Sequence, residues 1–206
     1  MSRSVVCISR AAGAGGEEVA QLVAQQLGFR YVDHEIVQRA AEKAGVSPEQ
    51  VAQAEHSQPL VSRILEALAV APAMAEGGYV TAAPIANPVV AYSHLIEHVV
   101  RETAESGNVV IVAHGASHAL GGRPEMLRVF VTASPKTRAA RLARESSIDD
   151  RAATKSIEAS DKERVRYLER FYKVRQELPV HYDLTLNTDL ITPATAAALV
   201  VAAAKA

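Results

Sequence analysis

A cluster of glycines near the start of the chain is the feature with the clearest chemical potential. Gly13, Gly15 and Gly16 follow an apolar run at residues 5–9 and precede a stretch with apolar residues at helical spacing. This order predicts a buried strand, a tight loop and a helix. The first amides of a helix lack intrahelical partners and carry partial positive charge, and glycine lets a phosphate approach the backbone closely. A phosphate bound here would contact Gly13, Ala14, Gly15, Gly16, Glu17 and Glu18.

The loop differs from the common phosphate-binding pattern G-x-x-x-x-G-K-[ST]. With Gly15 aligned to the last glycine, Arg10 stands at the first glycine, Gly16 at the lysine and Glu17 at the hydroxyl that holds magnesium. The loop therefore lacks the side chains that usually bind the β- and γ-phosphates and the metal. A tight turn without a ligand stays an alternative, because glycine is the usual residue of such turns.

A second motif has the chemistry of a metal site. His94, Glu97 and His98 match H-x-x-E-H, which on a helix places two imidazoles on one face, as a zinc hydrolase requires. His114 and His118 form another pair at the same spacing. The pattern is short and no third ligand is indicated, so we favour an ordinary amphipathic helix and keep a zinc protein as a minor alternative.

Charge is distributed unevenly along the chain. The whole chain has 22 basic and 23 acidic residues, but residues 123–175 contain 14 of the basic and 8 of the acidic ones. This segment is suited to an anionic ligand. The absence of Trp and the 4% aromatic content leave few stacking platforms for single-stranded nucleic acid. We therefore expect a small phosphorylated ligand rather than a nucleic acid.

Composition is that of a globular protein of 206 residues, which is enough for a sizeable core. The longest apolar run, residues 196–204, is far shorter than the ~20 residues that span a membrane. Neither a membrane span nor an export signal is expected. Cys7 is the only cysteine, which excludes an intramolecular disulfide and favours a reducing compartment. We expect a cytoplasmic protein.

The elements that must position the loop alternate between strand and helix. Long crossovers between such strands predict a mainly parallel sheet with helices on both faces, and these sheets bind ligands at the carboxyl ends of their strands. Residues 9–16, 33, 113–115 and 133–134 are therefore expected around one crevice. Strands are predicted at residues 5–9, 29–33, 109–113, 126–132 and 183–187. Helices are predicted at 19–27, 34–75 with breaks, 89–106 and 154–175, and a loop at 76–88. Ser134 with Pro135 and Thr192 with Pro193 each have the form of an N-cap followed by a first helical proline, which predicts two more helices after them.

Several blocks of the chain together resemble the cytidylate kinase-like family; they are residues 8–20, 28–33, 109–116, 161–164, 167–172, 182–184 and 187–189. The resemblance is weakest between residues 34 and 88. It implies an α/β, three-layer P-loop kinase-like fold with a helical acceptor-binding insertion and a basic lid, all in one domain of residues 1–206. The implied core comprises residues 1–33, 107–146 and 180–206, the insertion about 34–90, and the lid with its charged helix about 147–175.

The resemblance implies transfer of the γ-phosphoryl group of ATP, with Mg²⁺, to a nucleoside monophosphate such as CMP or to another small acceptor. Family members commonly have arginine where Glu17 and His114 stand. A non-catalytic nucleotide- or phosphate-binding module with a degenerate loop is therefore the alternative. Homodimerisation stays open.

The resemblance also implies roles for cations and substrate contacts. Arg10, Lys162 and Arg164 would act on the transferred phosphoryl group, Arg10 by folding back over the loop. Alternatively, Arg10 forms an ion pair with Glu17 or Glu18. The alternative for the basic residues of the charged helix is an ordinary solvent-exposed face. Lys162 and Arg164 point in different directions on an unbroken helix.

Asp33, His114 and Arg151 would contact the acceptor. Asp33 follows the second predicted strand, where related small-molecule kinases commonly place a carboxylate. Its alternative role is to cap the next helix. His114 would bind a phosphate when protonated or a base when neutral, and its alternative is a hydrogen-bonded residue at the sheet edge.

Overall fold

A computed structural model of the chain describes residues 3–44, 88–112 and 115–206. The chain divides into two compact units, one formed by Met1–Asp33 with Val100–Ala206 and the other by His34–Val99. Two sets of predictions lie outside the described residues: the helical breaks and the loop between 45 and 87, and the placement of His114.

The first unit contains a sheet of five strands, all parallel. Its spatial order is β2-β3-β1-β4-β5, so the strand that leads into the glycine loop lies in the centre. The predicted parallel sheet is confirmed, and each strand lies where a short apolar run predicted it. The strands are β1 (Val5–Arg10), β2 (Arg30–Val32), β3 (Val109–Val112), β4 (Met126–Thr132) and β5 (Leu184–Asn187).

The helices lie mostly where the sequence predicts them. Gly28, in the left-handed conformation with φ 67°, ends the first helix, and the hydroxyls of Ser134 and Thr192 cap the helices that begin with Pro135 and Pro193. The helices are α1 (Gly16–Leu27), α2 (His34–Ala44), α3 (Pro88–Glu105), α4 (Ala116–Ala119), α5 (Pro135–Ser146), α6 (Asp150–Tyr172) and α7 (Pro193–Lys205), with a 3-10 turn at Pro179–His181.

The charged helix α6 begins earlier than predicted. Its N-cap is Asp149, whose carboxylate accepts a hydrogen bond from the amide of Ala152 at 2.8 Å. Lys173, with φ 59°, ends it. Aspartate is a strong N-cap, and the apolar residues Ala153 and Ile157 of the first turns are buried against Ala139 of α5. The start predicted at residue 154 missed this capping signal.

Both faces of the sheet are covered. Val6 and Ile8 of β1 belong to a core cluster with Val19 of α1 and Val200 of α7, so these two helices lie on one face. Side chains on a strand alternate between the two faces of the sheet, so Ser9 lies on the face opposite to Ile8. The hydroxyl of Ser9 lies 3.3 Å from the hydroxyl of Ser117 in α4. The structure is therefore the three-layer α/β fold that the sequence predicted. None of the described helices combines the length and apolarity needed to cross a membrane.

Candidate functional site

The carboxyl ends of β1, β2 and β3 meet at one edge of the sheet. Cys7 of β1 and Val32 of β2 both lie beside Ile111 of the intervening β3. Arg10 and Asp33, which follow these positions closely, therefore lie at the same edge. This is the place where open α/β sheets bind ligands.

The glycine loop between β1 and α1 is held by contacts with other parts of the fold. Gly13 and Gly15 have φ values of 74° and 73°, which favour glycine. A β-carbon added at Gly13 would lie 2.6 Å from the carbonyl oxygen of Arg138, so the loop touches the backbone of α5. The carbonyl of Ala14 accepts a hydrogen bond from the Thr188 hydroxyl at 2.8 Å. The loop is thus fixed by residues that follow β4 and β5.

The amide groups at the start of α1 are the donors that a bound phosphate would use. Val19 makes the first helical bond, to the carbonyl of Gly15 at 3.2 Å, and the amide of Ala14 turns back to Ala11. Within the described part of the chain, no acceptor is recorded for the amides of residues 15–18. Consecutive unpaired N–H groups at a helix start attract anions. Phosphate binding by residues 13–18 stays a prediction, which these amide groups support.

Arg10 lies over this cradle. A β-carbon added at Gly16 would be 2.6 Å from the β-carbon of Arg10 and 3.1 Å from its δ-carbon. The Arg10 guanidinium donates to the carboxylate of Glu17, and its Nε is buried without a hydrogen-bond acceptor among the described residues. Arg10 thus both folds over the loop and pairs with Glu17. Its contact with a phosphate stays a prediction.

Asp33 and Tyr31 lie beside the loop. The hydroxyl of Tyr31 donates to Oδ2 of Asp33 at 3.3 Å. Burial raises the pKa of Tyr31 to about 12; the charges of Asp33 and Glu17 add to the rise, and that of Arg10 opposes it. All three charges therefore act at the Tyr31 hydroxyl. The sequence did not single out Tyr31, because an aromatic residue in a strand is usually part of the core.

Arg164 is held in an ion pair. Its Nε and Nη2 donate to the two carboxylate oxygens of Glu177 at 2.7 and 2.5 Å, and its Cζ lies 5.5 Å from the ring centroid of Phe130. Burial opposes the charge of Arg164, but Glu177 outweighs it and raises its pKa above the ordinary value.

The other two cations predicted on α6 are exposed. Lys162 and Arg151 both have exposed side chains, and the helix is unbroken. No contact from Lys162, Arg164 or Arg151 to the loop is recorded in the described ranges. Their predicted roles stay predictions.

Two arginines of α5, which sequence reasoning missed, support the loop. Arg138 is buried and donates to both carboxylate oxygens of Asp161 at 2.8 and 2.6 Å, and also to the carbonyl of Ala12. Arg141 donates to the hydroxyl and the carbonyl of Thr188 at 2.9 and 2.6 Å. The positive charge of residues 123–175 was the signal for them, but the sequence alone does not show which arginines face the loop.

A polar and aromatic cluster anchors the end of α6 and the segment after it. The Tyr182 hydroxyl donates to Glu177 and lies 3.4 Å from Nε2 of His118. Burial lowers the pKa of His118, against the opposing charge of Glu177. The Tyr172 ring packs where a β-carbon of Gly115 would stand. These contacts hold the C-terminal end of α6 in place.

The predicted histidine sites lie partly outside the described residues. His114 lies outside the described residues, as does the side chain of His94, while His98 has interactions of its own. Among the side chains that the structure describes, no group of three His, Cys, Asp or Glu residues is placed to hold a metal ion. The roles predicted for His114 and for the His94 and His98 pair stay predictions.

The chain is similar in structure to solved proteins of low sequence identity. No curated protein matches it by sequence. An uncharacterized protein from Eubacterium ventriosum is similar in structure at 16% identity, with a TM-score of 0.69 and 98% of each chain covered. TT1252 from Thermus thermophilus has 14% identity, a TM-score of 0.56 and coverage of 99% of this chain and 98% of its own.

A shikimate kinase from Acinetobacter baumannii, in complex with shikimate, has 11% identity, a TM-score of 0.50 and coverage of 97% of this chain and 91% of its own. At such identities these likenesses show the fold alone, and the fold is that of P-loop kinases. The sequence model of the cytidylate kinase-like family matches residues 5–190, a range that includes the loop, Asp33 and α6. The chain therefore belongs to the cytidylate kinase-like family.

Proposed function

We propose that the chain transfers the γ-phosphoryl group of ATP to a small acceptor, either a nucleoside monophosphate such as CMP or another small molecule. Family membership supports nucleotide-dependent phosphoryl transfer as the general class of activity. The observation that carries the proposal is the run of amides at residues 15–18, which have no acceptor among the described residues, with the Arg10 side chain lying across Gly16.

The chain supplies positive charge to the triphosphate in an unusual way. Phosphoryl transfer requires in-line positioning and charge stabilisation more than covalent chemistry from the protein. The loop amides provide partial charges, and Arg10 provides the full charge that a lysine at position 16 usually supplies. Because Gly16 has no side chain, Arg10 can cross the loop from the end of β1.

Magnesium fits the residues present. Mg²⁺ is commonly bound by phosphate oxygens, water and one or two carboxylates. Glu17 stands where the common loop has its magnesium-binding hydroxyl, and its side chain is 56% exposed. Glu17 would therefore hold the ion from the protein side. When bound, the ion neutralises charge on the β- and γ-phosphates.

The cations of α6 complete the proposal. Lys162 and Arg151 are exposed and would approach the phosphoryl group from a basic lid at about 147–175. Arg164 can contact the phosphoryl group only if its ion pair with Glu177 breaks. The core, insertion and lid would together form one domain of residues 1–206. The single cysteine, Cys7, is free and buried, in keeping with the proposed cytoplasmic location.

A non-catalytic nucleotide-binding module is the second candidate. The observation that favours it is the ion pair between Arg10 and Glu17, which neutralises the cation that lies across Gly16. Such a loop would bind a nucleotide through its amides without driving transfer.

Turnover and binding together distinguish the two. The full chain is incubated with ATP, Mg²⁺ and a panel of acceptors, and ADP is measured against the Gly15→Asp variant, in which a carboxylate enters the cradle. Transfer above that control supports the kinase. ATP binding by calorimetry without transfer supports the binding module, and no binding overturns both.

A further inference from the structure

The carboxylate of Glu177 lies among three hydrogen-bond donors. Nε and Nη2 of Arg164 donate to its two oxygens at 2.7 and 2.5 Å, and the Tyr182 hydroxyl donates to the same oxygen as Nη2. The Glu177 side chain is only 13% exposed. A guanidinium fork binds phosphate in the same bidentate way as it binds carboxylate. The three donors therefore form an oxyanion site, and in this structure the site holds one of the chain's own carboxylates.

The donors are also held by contacts that do not involve Glu177. The Arg164 guanidinium lies 5.5 Å from the ring centroid of Phe130 in β4, and the Tyr182 ring stacks on the same ring at 5.1 Å. Tyr182 is buried, and its hydroxyl lies 3.4 Å from Nε2 of His118. Arg164 belongs to the unbroken helix α6. If Glu177 left the site, these contacts would keep the donors in place.

Glu177 itself lies on a segment with fewer attachments. Residues 173–178 join α6 to the 3-10 turn and contain no helix or strand. In the part of the chain that the structure describes, no hydrogen bond is recorded for the amides of residues 175–177. Segments with few backbone bonds and few buried contacts open locally at low free-energy cost. Of the two members of the ion pair, Glu177 is therefore the one that can move.

A second anion is needed for the site to open. When one partner of a largely buried ion pair is removed, the other charge is left without compensation, which is strongly destabilising. An oxyanion that takes the place of Glu177 avoids this cost, because it restores both the charge and the hydrogen bonds. It must compete with a carboxylate tethered beside the donors, whose effective concentration is high. Glu177 therefore weakens the binding of any such anion.

The oxyanion site is close to the phosphate loop. Phe130, which contacts both donor side chains, lies beside Ser9 in the sheet register. Ser9 directly precedes Arg10, the last residue of the central strand. The site is therefore near the carboxyl edge of the sheet, where open α/β sheets bind their ligands.

We propose that Glu177 is an internal competitor. Its carboxylate occupies the oxyanion site of Arg164 and Tyr182, and a phosphate or carboxylate group of a substrate enters only by displacing it. That the displacing group belongs to a substrate of phosphoryl transfer rests on the proposed function. The exchange makes and breaks no covalent bond, and it regulates access to Arg164.

Inorganic phosphate without ATP tests the site directly. All proteins in this comparison carry Gly15→Asp, which is expected to prevent phosphate binding at the glycine loop. Adding Glu177→Ala opens the site and should tighten phosphate binding about tenfold in calorimetry, since hydrogen bonds to a charged group contribute about that much. Adding Glu169→Ala instead is the matched control, because Glu169 pairs at 3.5 Å with Arg175, whose side chain is 87% exposed.

Two results decide this comparison. Arg164→Met, combined with Glu177→Ala, should abolish the gain in phosphate affinity. Equal affinities in the Glu177→Ala and Glu169→Ala proteins overturn the proposal, as does a gain that survives Arg164→Met.

Thermal stability gives a second measurement, which remains informative if Glu177→Ala weakens the fold. Phosphate or acetate should raise the melting temperature of this variant about 3 °C more than chloride at equal ionic strength, because an anion that binds only the folded state stabilises it. A larger response to phosphate assigns the site to phosphate groups, and a larger response to acetate assigns it to carboxylates. The same response in Glu169→Ala overturns the proposal.

Transfer kinetics identify the substrate that bears the displacing group. In Glu177→Ala with the intact glycine loop, KM should fall about tenfold for ATP or for the acceptor, because the site no longer has to be vacated first. Unchanged KM values for both substrates in an active protein contradict the proposal. A gain in phosphate binding without transfer in any protein would overturn the proposed function and leave the oxyanion site standing.

Discussion

The side chain of Arg10 crosses Gly16 so closely that a β-carbon at position 16 would lie 2.6 Å from the β-carbon of Arg10. The lysine of the common phosphate-binding loop belongs at this position. An arginine from the end of the central strand therefore occupies the space that a lysine side chain would need. Placing a lysine at position 16 would displace the arginine and would not simply restore the common loop.

The first prediction concerns this contact. Gly16→Ala should displace Arg10, lower the free energy of unfolding by about 1–3 kcal/mol and weaken ATP binding about tenfold, because the β-carbon of Arg10 cannot swing away as a side-chain tip can. Urea denaturation and calorimetry measure the two effects. Gly122→Ala is the control, since a β-carbon there meets only ordinary contacts at 3.7 Å and beyond. Equal behaviour of the two variants would disprove the overlap.

The second prediction concerns the Arg10 and Glu17 pair. Glu17→Gln frees Arg10 and removes a negative charge, so inorganic tripolyphosphate without Mg²⁺ should bind about tenfold more tightly. Glu18→Gln removes the same charge from the same turn without touching the pair, and should have a smaller effect. Arg10→Met should weaken binding, yet change the unfolding free energy by only about 1 kcal/mol because the pair is partly exposed. Equal gains in the two glutamine variants would contradict the role given to the pair.

The third prediction concerns the bond between α5 and α6. The Arg138 side chain is 5% exposed and that of Asp161 is 44% exposed. Asp161→Asn leaves a buried cation without its carboxylate and should cost about 2 kcal/mol, less than a fully buried pair because water reaches Asp161. The double variant Asp161→Asn with Arg138→Met should recover part of this loss in urea denaturation. A double variant less stable than the single one would show that Arg138 acts mainly through other contacts.

The fourth prediction concerns pH. Burial opposes ionisation of Glu177, but the hydrogen bonds and charge of Arg164 outweigh it and hold the pKa of Glu177 below its ordinary value of 4.5. A lowered pKa stabilises the fold above the unfolded value, and this stability is lost as pH falls through the folded value. Glu177→Gln should therefore unfold more easily at pH 7 and lose less stability than wild type between pH 5 and about pH 3. Parallel stability curves for the two proteins would refute this linkage.

Local signals in the sequence predict most of the fold. The valine-rich runs of β1 and β3 predict buried parallel strands, and Ser134 with Pro135 predicts the start of α5. The glycine loop is legible because strand, glycines and amphipathic helix follow in order. The resemblance to the cytidylate kinase-like family adds the expectation of one particular fold for the whole chain. The match of the family model to residues 5–190 confirms that resemblance.

The partners of charged side chains are harder to predict than the elements. Arg164 and Lys162 look alike in sequence, but Arg164 pairs with Glu177, 13 residues away, and its side chain is only 24% exposed. Asp161 lies among the blocks that resemble the family, yet nothing local pairs it with Arg138, 23 residues away. Ion pairs between residues far apart in sequence depend on how α5, α6 and the segment after α6 pack. Short sequence patterns do not predict that packing.

Amide chemical shifts measured by NMR during titration with ATP test the central claim most directly. The loop is held to bind phosphate through the amides of residues 15–18, so these signals should show the largest shifts, and inorganic tripolyphosphate should shift the same signals. The Gly15→Asp variant should show neither response. Phosphate-induced shifts elsewhere, with the amides of residues 15–18 unmoved, would contradict the account.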